Sequence, residues 1–121
     1  MKDLAIVFFG SGIGGCLRYG IGLIFKSRAG EFPFATLSAN VLACLIAAFF
    51  LHKILPETIQ NQTSLRLLMI TGFCGGFSTF SAFSMETSTM MREGNWQGAV
   101  VYSLLSFSTG LAAFLIFARS R

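Results

Sequence analysis

The sequence predicts an all-α integral membrane protein with four transmembrane helices, and three observations support this fold class. The chain has 121 residues, of which 54% are hydrophobic and 12% are charged, whereas soluble domains carry about a quarter charged residues. Its mean hydropathy is +0.70. Four apolar segments each reach the roughly 20 residues that a helix needs to cross a bilayer, and only short polar segments separate them.

The predicted spans cover residues 4–25, 34–55, 67–91 and 96–118, within a single domain of residues 1–121. The first apolar run is too long for a signal peptide and has no polar region after a cleavage site, so we expect it to be retained. The net charge of +4 is spread over the helix ends. No basic stripe with interleaved aromatic residues is present, so nucleic acid is not an expected partner.

The third span contains the most unusual stretch of the chain, residues 72–87, with the sequence GFCGGFSTFSAFSMET. Gly75 and Gly76 lack side chains, and the hydroxyls of Ser78 and Thr79 compete for backbone hydrogen bonds. These features predict a helix that is broken in the middle of the membrane. Non-helical backbone survives at that depth only where protein buries it or where it lines a water-filled cavity. Freed carbonyls there suit a cation and freed amides suit an anion, which favours a pore or binding element.

Phenylalanines recur in the same stretch at positions 73, 77, 80 and 83. Spacings of three and four place them on one face wherever the helix persists. Without the glycine-rich interruption, ordinary packing against lipid or core would be the favoured interpretation of this row.

Polar residues within the first two spans indicate contacts between helices or a pathway. Arg18 marks a pathway or a pairing partner, or else it extends to the headgroups from near the helix end. Asn40 is either a hydrogen-bonding link between helices or a pore-lining amide. Gly10 and Gly14 form a small-residue packing face in the first span.

The fourth span has a row of hydroxyl groups. Tyr102, Ser106 and Thr109 are spaced four and three residues apart, so their side chains share one side of the helix. Isolated serines usually bond back to their own helix. A whole row that faces an interrupted helix favours a polar track.

The three cysteines lie in three different apolar segments, at positions 16, 44 and 74. Their odd number and their spacing indicate neither a disulfide framework nor a zinc motif, so we expect small packing residues.

The positive charges give the predicted spans only a weak orientation. One side of the membrane would carry Lys2, Lys53, Arg66, Arg119 and Arg121, and the other Lys26, Arg28 and Arg92, with Arg18 leaning that way. Loop charge normally fixes direction, so a chain this balanced could insert both ways. An antiparallel homodimer follows as a hypothesis, with its two-fold axis in the membrane plane.

Three motifs, one in each of the first three spans, resemble those of one family. Residues 72–86 are similar to the third-helix signature of the Fluc (CrcB) fluoride channels, and Gly14-Gly15-x-x-Arg18-Tyr19 and Thr36-Leu37-x-x-Asn40 also match that family's pattern. The resemblance covers essentially the whole chain. The sequence departs from the family pattern at Ala35, Ala43, Ser78 and Ala82.

The resemblance implies a channel that exports fluoride passively across the bacterial plasma (inner) membrane and relieves fluoride toxicity. It implies an antiparallel, dual-topology homodimer with two pores and a structural Na⁺ at its centre. Backbone carbonyls of Gly75 and Ser78 would hold the sodium ion. The fluoride pore would be lined by Asn40, Phe80, Phe83, Tyr102 and Ser106, and Arg18 would lie near a vestibule.

Two other functions remain open from the residues alone. A small proton-coupled multidrug exporter needs a carboxylate within the membrane, and Glu86, expected near the end of the third span, is the only candidate. A non-transporting assembly subunit would need only the glycine and alanine faces. An enzyme is not expected, because the spans contain no nucleophile–base pair, carboxylate pair or metal-binding cluster.

Overall fold

The structure, a computed structural model, describes residues 1–26, 31–55 and 63–119. The described chain is helical and contains no strand. Four of its helical segments are long and apolar enough to cross a membrane: Lys2–Phe25, Phe34–Ile54, Ser64–Arg92 and Trp96–Arg119. The prediction of an all-α protein with four membrane-spanning segments is confirmed.

The helices are numbered here in chain order. Helix α1 is Lys2–Phe25, and α2 is Phe34–Ile54, whose last turn from Phe50 to Ile54 has π-helical winding. Helix α3 covers residues 63–77 and changes winding twice, with α-helical Thr63–Arg66, π-helical Leu67–Cys74 and α-helical Gly75–Phe77. Helix α4 is Phe80–Arg92 and α5 is Trp96–Arg119.

A tight turn joins α4 to α5. Gly94 has a φ of 83°, a left-handed conformation that glycine adopts without steric cost. The Asn95 side chain accepts a hydrogen bond from the Gly98 N–H at 3.0 Å and so caps the start of α5. Because the turn is this short, α4 and α5 form a helical hairpin.

Backbone-to-backbone packing joins α1 to α3. A Cβ added at Gly10 would lie 2.5 Å from the Leu68 carbonyl oxygen, and one at Gly76 would lie 2.7 Å from Ser11 Cα. The Ser11 hydroxyl also donates a hydrogen bond to the Gly72 carbonyl at 3.3 Å. Only glycine permits this approach, as in other membrane helices that pack through small residues.

The buried centre of the structure lies between α2 and α3. Ala39, Ala43 and Ala47 of α2 are between 0% and 7% exposed and pack against Cys74 and Phe77 of α3. Their four-residue spacing places all three alanines on one face of α2. Helix α2 therefore lies against α3 on one side, and it also packs extensively against α5.

Large apolar side chains cover much of the outer surface. Among those of α1, Leu4, Phe8, Phe9, Ile13 and Leu17 are each at least half exposed. An outer surface of this kind suits lipid and supports a multi-pass membrane protein.

We expect Gly14→Ala and Gly12→Ala to change stability in opposite directions. A Cβ at Gly14 would lie 2.7 Å from the Phe77 amide nitrogen, whereas a Cβ at Gly12 meets nothing within 4 Å. The first variant should lose roughly 1–3 kcal/mol of unfolding free energy through overpacking. The second should gain up to about 1 kcal/mol from helix propensity. Unfolding in mixed micelles, followed by circular dichroism, measures both; equal effects would contradict the close contact of α1 with α3.

Candidate functional site

The helical path is interrupted between α3 and α4. Ser78 has φ −81° and ψ 155°, and Thr79 has φ −152° and ψ 120°, so both residues have extended backbone. Gly75 and Gly76 remain helical, and the interruption follows Phe77. The Ser78 hydroxyl donates to the Cys74 carbonyl at 2.8 Å, and Thr79 Oγ1 caps α4 by accepting from the Ala82 N–H at 3.2 Å. These are the competing side-chain bonds that the serine and threonine content predicts.

Asn40 of α2 binds the backbone at the interruption. Its Oδ1 accepts a hydrogen bond from the Thr79 N–H at 2.8 Å, and its Nδ2 donates to the Thr79 carbonyl at 3.4 Å. One side chain thus binds both polar groups of a residue with extended backbone. The sequence left open whether Asn40 links helices or lines a pore. These two hydrogen bonds show that it links α2 to the interruption. Asn40 also lines a cavity beside the interruption.

The same contacts redirect the hydrogen bonds of two carbonyls. In a continuous α-helix, the Thr79 N–H would bond to the Gly75 carbonyl and the Ala82 N–H to the Ser78 carbonyl. Both N–H groups bond to side-chain oxygens instead. Gly75 and Ser78 are the two residues whose carbonyls the family resemblance assigns to sodium.

Arg18 lies on α1 beside the end of α3. Its Nε donates a hydrogen bond to the Gly76 carbonyl at 3.3 Å, and its side chain is partly buried. A cation next to the last carbonyls of a helix also interacts favourably with the helix dipole. The sequence allowed Arg18 to mark a pathway, to pair with another group or to extend to the headgroups. This contact supports pairing with another group.

A cavity of about 230 Å³ lies beside the interruption. Its wall includes Asn40, Ser78, Phe80, Phe83 and Ser106, so the fold brings together residues that the sequence analysis selected from three different spans. Among the residues that the structure describes, the lining does not include the other three predicted site residues, Arg18, Gly75 and Tyr102.

The phenylalanine row divides at the interruption. Phe80 and Phe83 have ring centroids 5.6 Å apart, and Phe73 and Phe77 stack on each other at 5.6 Å within α3. Phe107 of α5 meets Phe83 edge to face, with centroids 6.3 Å apart and an interplanar angle of 87°. Sequence reasoning missed Phe107, which also lines the cavity.

Ser106 differs from the other hydroxyl residues of α5. The hydroxyls of Ser103, Ser108 and Thr109 donate to carbonyls of their own helix. Ser106 Oγ is buried and has no hydrogen-bond partner in the described part of the chain. Among its described residues, the predicted polar track therefore has one hydroxyl without a partner, that of Ser106, and Ser106 is one of the residues that line the cavity.

A hydrogen-bonded group that the sequence analysis missed lies one helical turn away from this cavity. Thr36 Oγ1 donates to Glu86 Oε1 at 2.6 Å, and the Tyr102 hydroxyl donates to Glu86 Oε2 at 2.8 Å. Thr36 is 8% exposed and Tyr102 is fully buried. A signal was available, because Thr36 lies four residues before Asn40 and shares its helical face.

This geometry defines a class of protein: a multi-pass membrane protein in which side chains bind an interrupted helix and a small polar opening lies beside it. The comparisons with known proteins agree. The model of the family described as "CrcB-like protein, Camphor Resistance (CrcB)" matches residues 5–117. The chain belongs to the CrcB family.

Curated relatives match over nearly the full length. A protein of Azobacteroides pseudotrichonymphae is 36% identical over 120 residues, covering 96% of this chain and 93% of the relative. A Chloroflexus aurantiacus protein is 37% identical over 117 residues, with 96% and 92% covered. A Methylobacterium protein is 37% identical over 121 residues, with 96% and 93% covered. Each relative is named "Fluoride-specific ion channel FluC".

We expect Thr36→Val and Tyr102→Phe each to lower the unfolding free energy by about 1–3 kcal/mol, because each removes a donor from a partly buried carboxylate. Thr89→Val is the matched control, since the Thr89 hydroxyl bonds only within its own helix in the described structure, to the Met85 carbonyl. Unfolding in mixed micelles measures all three variants. If Thr36→Val were no less stable than Thr89→Val, the contact to Glu86 would contribute nothing to the fold.

Proposed function

We propose that this protein is a fluoride-selective ion channel that exports fluoride passively and so relieves fluoride toxicity. Membership of the CrcB family and the names of its relatives support this function. The structural observation that supports it best is a cavity lined by Phe80, Phe83 and Ser106, whose hydroxyl has no hydrogen-bond partner among the described residues. These features favour a channel in a bacterial plasma membrane over an enzyme.

The chemistry of the cavity suits a small, strongly hydrated anion. Burying such an ion without new hydrogen bonds costs much free energy. Ser106 Oγ has no hydrogen-bond partner among the described residues, and the Asn40 Nδ2 bond to Thr79 is already long at 3.4 Å. Aromatic rings present a positive edge, so Phe80 and Phe83 turned edge-on can meet an anion without binding it firmly. Weak contacts of this kind suit conduction, because the ion must also leave.

We assign Tyr102 a place next to the path rather than on it. The Tyr102 hydroxyl donates to Glu86, so its single proton is committed. Among the described residues that line the cavity, Asn40 and Ser106 are the ones to which we assign donors for an anion. Arg18, bonded to the Gly76 carbonyl, contributes positive charge near the interruption.

The proposed structural sodium ion would lie at the carbonyls of the interruption. The Gly75 and Ser78 carbonyls have lost their regular helical donors to Asn40 and Thr79. Hard oxygen ligands suit a cation such as Na⁺. Two carbonyls from each of two subunits would hold the ion, whose charge would offset the exposed carbonyl dipoles.

The antiparallel homodimer, with two pores, is part of the same proposal. The weak bias in positive charge between the two sides supports insertion in both orientations. Phe80 and Phe107, next to the cavity, are 73% and 69% exposed, so a second subunit would complete the wall. A two-fold axis beside Ser78 would bring both sets of carbonyls together.

The multidrug-exporter alternative depends on Glu86. The structure places this residue inside α4, where both carboxylate oxygens already accept hydrogen bonds from Thr36 and Tyr102. A proton–drug exchange site needs a carboxylate that is open to its cargo. This arrangement and the family membership favour the channel.

Liposomes that contain the purified protein should release fluoride while they retain chloride. The reason is that the few donors in the cavity match a small anion and the rings restrict its size. A fluoride electrode and a chloride electrode, read in parallel after a potassium ionophore is added, measure the two fluxes. Equal release of both halides would disprove the proposed selectivity.

A pair of phenylalanine variants tests the role of the Phe80 ring in the same flux assay, with Phe8 as the control position. Phe80→Ile should reduce fluoride flux about two- to tenfold, because an aromatic contact of this kind is worth roughly 0.5–1.5 kcal/mol. Phe8→Ile is matched to it in exposure, since Phe8 and Phe80 are each 73% exposed, and Phe8 lies on α1 away from the cavity. Equal flux in the two variants would assign the Phe80 ring to packing alone.

Replacing Na⁺ by the bulkier N-methylglucammonium throughout purification and reconstitution should lower fluoride flux and weaken the dimer. A ligand that binds only the assembled state stabilises it, so its removal shifts the equilibrium toward monomers. Fluoride release and glutaraldehyde cross-linking measure the two effects. If both stayed unchanged, the sodium site at Gly75 and Ser78 would have to be abandoned.

A further inference from the structure

The hydrogen-bonded group around Glu86 forms a layer of side chains next to the cavity, one helical turn nearer the start of α2. Three helices contribute to this layer, with Thr36 from α2, Glu86 from α4 and Tyr102 from α5. Each of them lies three or four positions along its helix from a residue that lines the cavity: Asn40, Phe83 and Ser106. Because that spacing is one helical turn, the layer adjoins the cavity on three helices at once.

Apolar side chains cover this layer on the side away from the cavity. Met90 and Ala99 are 1% and 0% exposed and form a buried cluster with Tyr102. Phe32, which is partly buried, packs against the same cluster. It precedes α2 and is followed by the buried Pro33. The segment before α2 therefore places one aromatic ring against residues of both α4 and α5.

The Phe32 ring contacts Tyr102 directly. The two ring centroids are 5.7 Å apart and the ring planes meet at 72°, an edge-to-face arrangement that aromatic pairs prefer. Tyr102 also contacts Phe83, with centroids 5.1 Å apart and an interplanar angle of 49°. Two rings from different segments of the chain thus restrict the orientation of the Tyr102 ring, and with it the direction of the hydroxyl.

The direction of that hydroxyl matters for an anion in the cavity. The oxygens of Glu86 are hydrogen-bond acceptors, so they repel an anion unless donors cover them. Tyr102 covers Oε2 and Thr36 covers Oε1. If the Tyr102 hydroxyl turned away, Oε2 would lose this donor one helical turn from the cavity, and an anion there would be less stable.

We propose that Phe32 is a positioning residue for the fluoride path: its ring holds the Tyr102 hydroxyl on Glu86 and so keeps that carboxyl oxygen covered. This inference rests on the proposed channel function. In the described structure Phe32 is not among the residues that line the cavity, so it acts through Tyr102 rather than on the ion.

A double-variant cycle in liposomes tests the proposal. Tyr102→Phe removes only the hydroxyl and keeps both ring contacts. Phe32→Leu, or Phe32→Met if the leucine variant does not fold, should reduce fluoride release by about two- to tenfold, the range that an aromatic pair can supply. In the Tyr102→Phe background the same substitution should leave the release unchanged, because no hydroxyl remains to be positioned. An equal reduction in both backgrounds would assign Phe32 to packing alone.

The matched control removes a similar ring contact at the other end of α2. Phe49 meets Phe117 of α5 with centroids 6.0 Å apart and an interplanar angle of 74°. Neither ring is part of the cavity lining in the described structure. Phe49→Leu should therefore release fluoride at the wild-type rate, and a loss equal to that of Phe32→Leu would overturn the specific role of Phe32.

Raman spectroscopy of tyrosine observes the hydroxyl independently of transport. The chain has two tyrosines, so in a Tyr19→Phe background the signal comes from Tyr102 alone. The intensity ratio of the tyrosine Fermi doublet is low when the hydroxyl is a strong donor, and it should rise when Phe32→Leu is added. A ratio that stays at its original value would overturn the positioning role.

The outcomes separate this role from the channel function. If wild-type liposomes release no fluoride, the proposed function fails and the role of Phe32 in the path fails with it. If they release fluoride but Phe32→Leu matches the wild type in flux or in its Raman ratio, only the role of Phe32 is overturned.

Discussion

The two hydrogen bonds between Asn40 and the backbone of Thr79 are the constraint on which the rest of the site depends. An unsatisfied backbone group in hydrocarbon costs several kcal/mol, so an interrupted helix persists in a membrane only if other groups bind its ends. Asn40 binds both polar groups of Thr79, and Thr79 Oγ1 in turn binds the Ala82 N–H. Because these donors are engaged, the Gly75 and Ser78 carbonyls are released from the regular helical pattern.

The two halves of the third span are fixed in different ways. Helix α3 is held against α1 by glycine contacts between backbones, at Gly10 and Gly76 among others, and by the Arg18 bond to the Gly76 carbonyl. Helix α4 is held against α2 and α5 by polar side chains that converge on Glu86. A close-packed half and a hydrogen-bonded half meet at the interruption, and the cavity lies on the hydrogen-bonded side.

Several features could be predicted from local sequence because they depend on composition and spacing. The four apolar segments require only hydrophobicity and length, and the hydroxyl-rich stretch after Phe77 supplies its own competing hydrogen bonds. The glycines were harder to interpret. Gly76 is helical and allows close approach to Ser11, which depends on the neighbouring helix rather than on the residues beside it.

The sequence by itself determined an all-helical membrane protein with four spans, its family motifs and most of the residues that line the cavity, because periodicity and polarity act within one segment. Only the tertiary structure decided which hydroxyl is free. Ser103 and Ser106 are alike in sequence, yet the Ser103 hydroxyl bonds to its own helix and the Ser106 hydroxyl has no partner among the described residues. The partners of Glu86 were likewise decided by the tertiary structure, because its donors come from two other helices and contacts between segments distant in sequence leave no local pattern to detect.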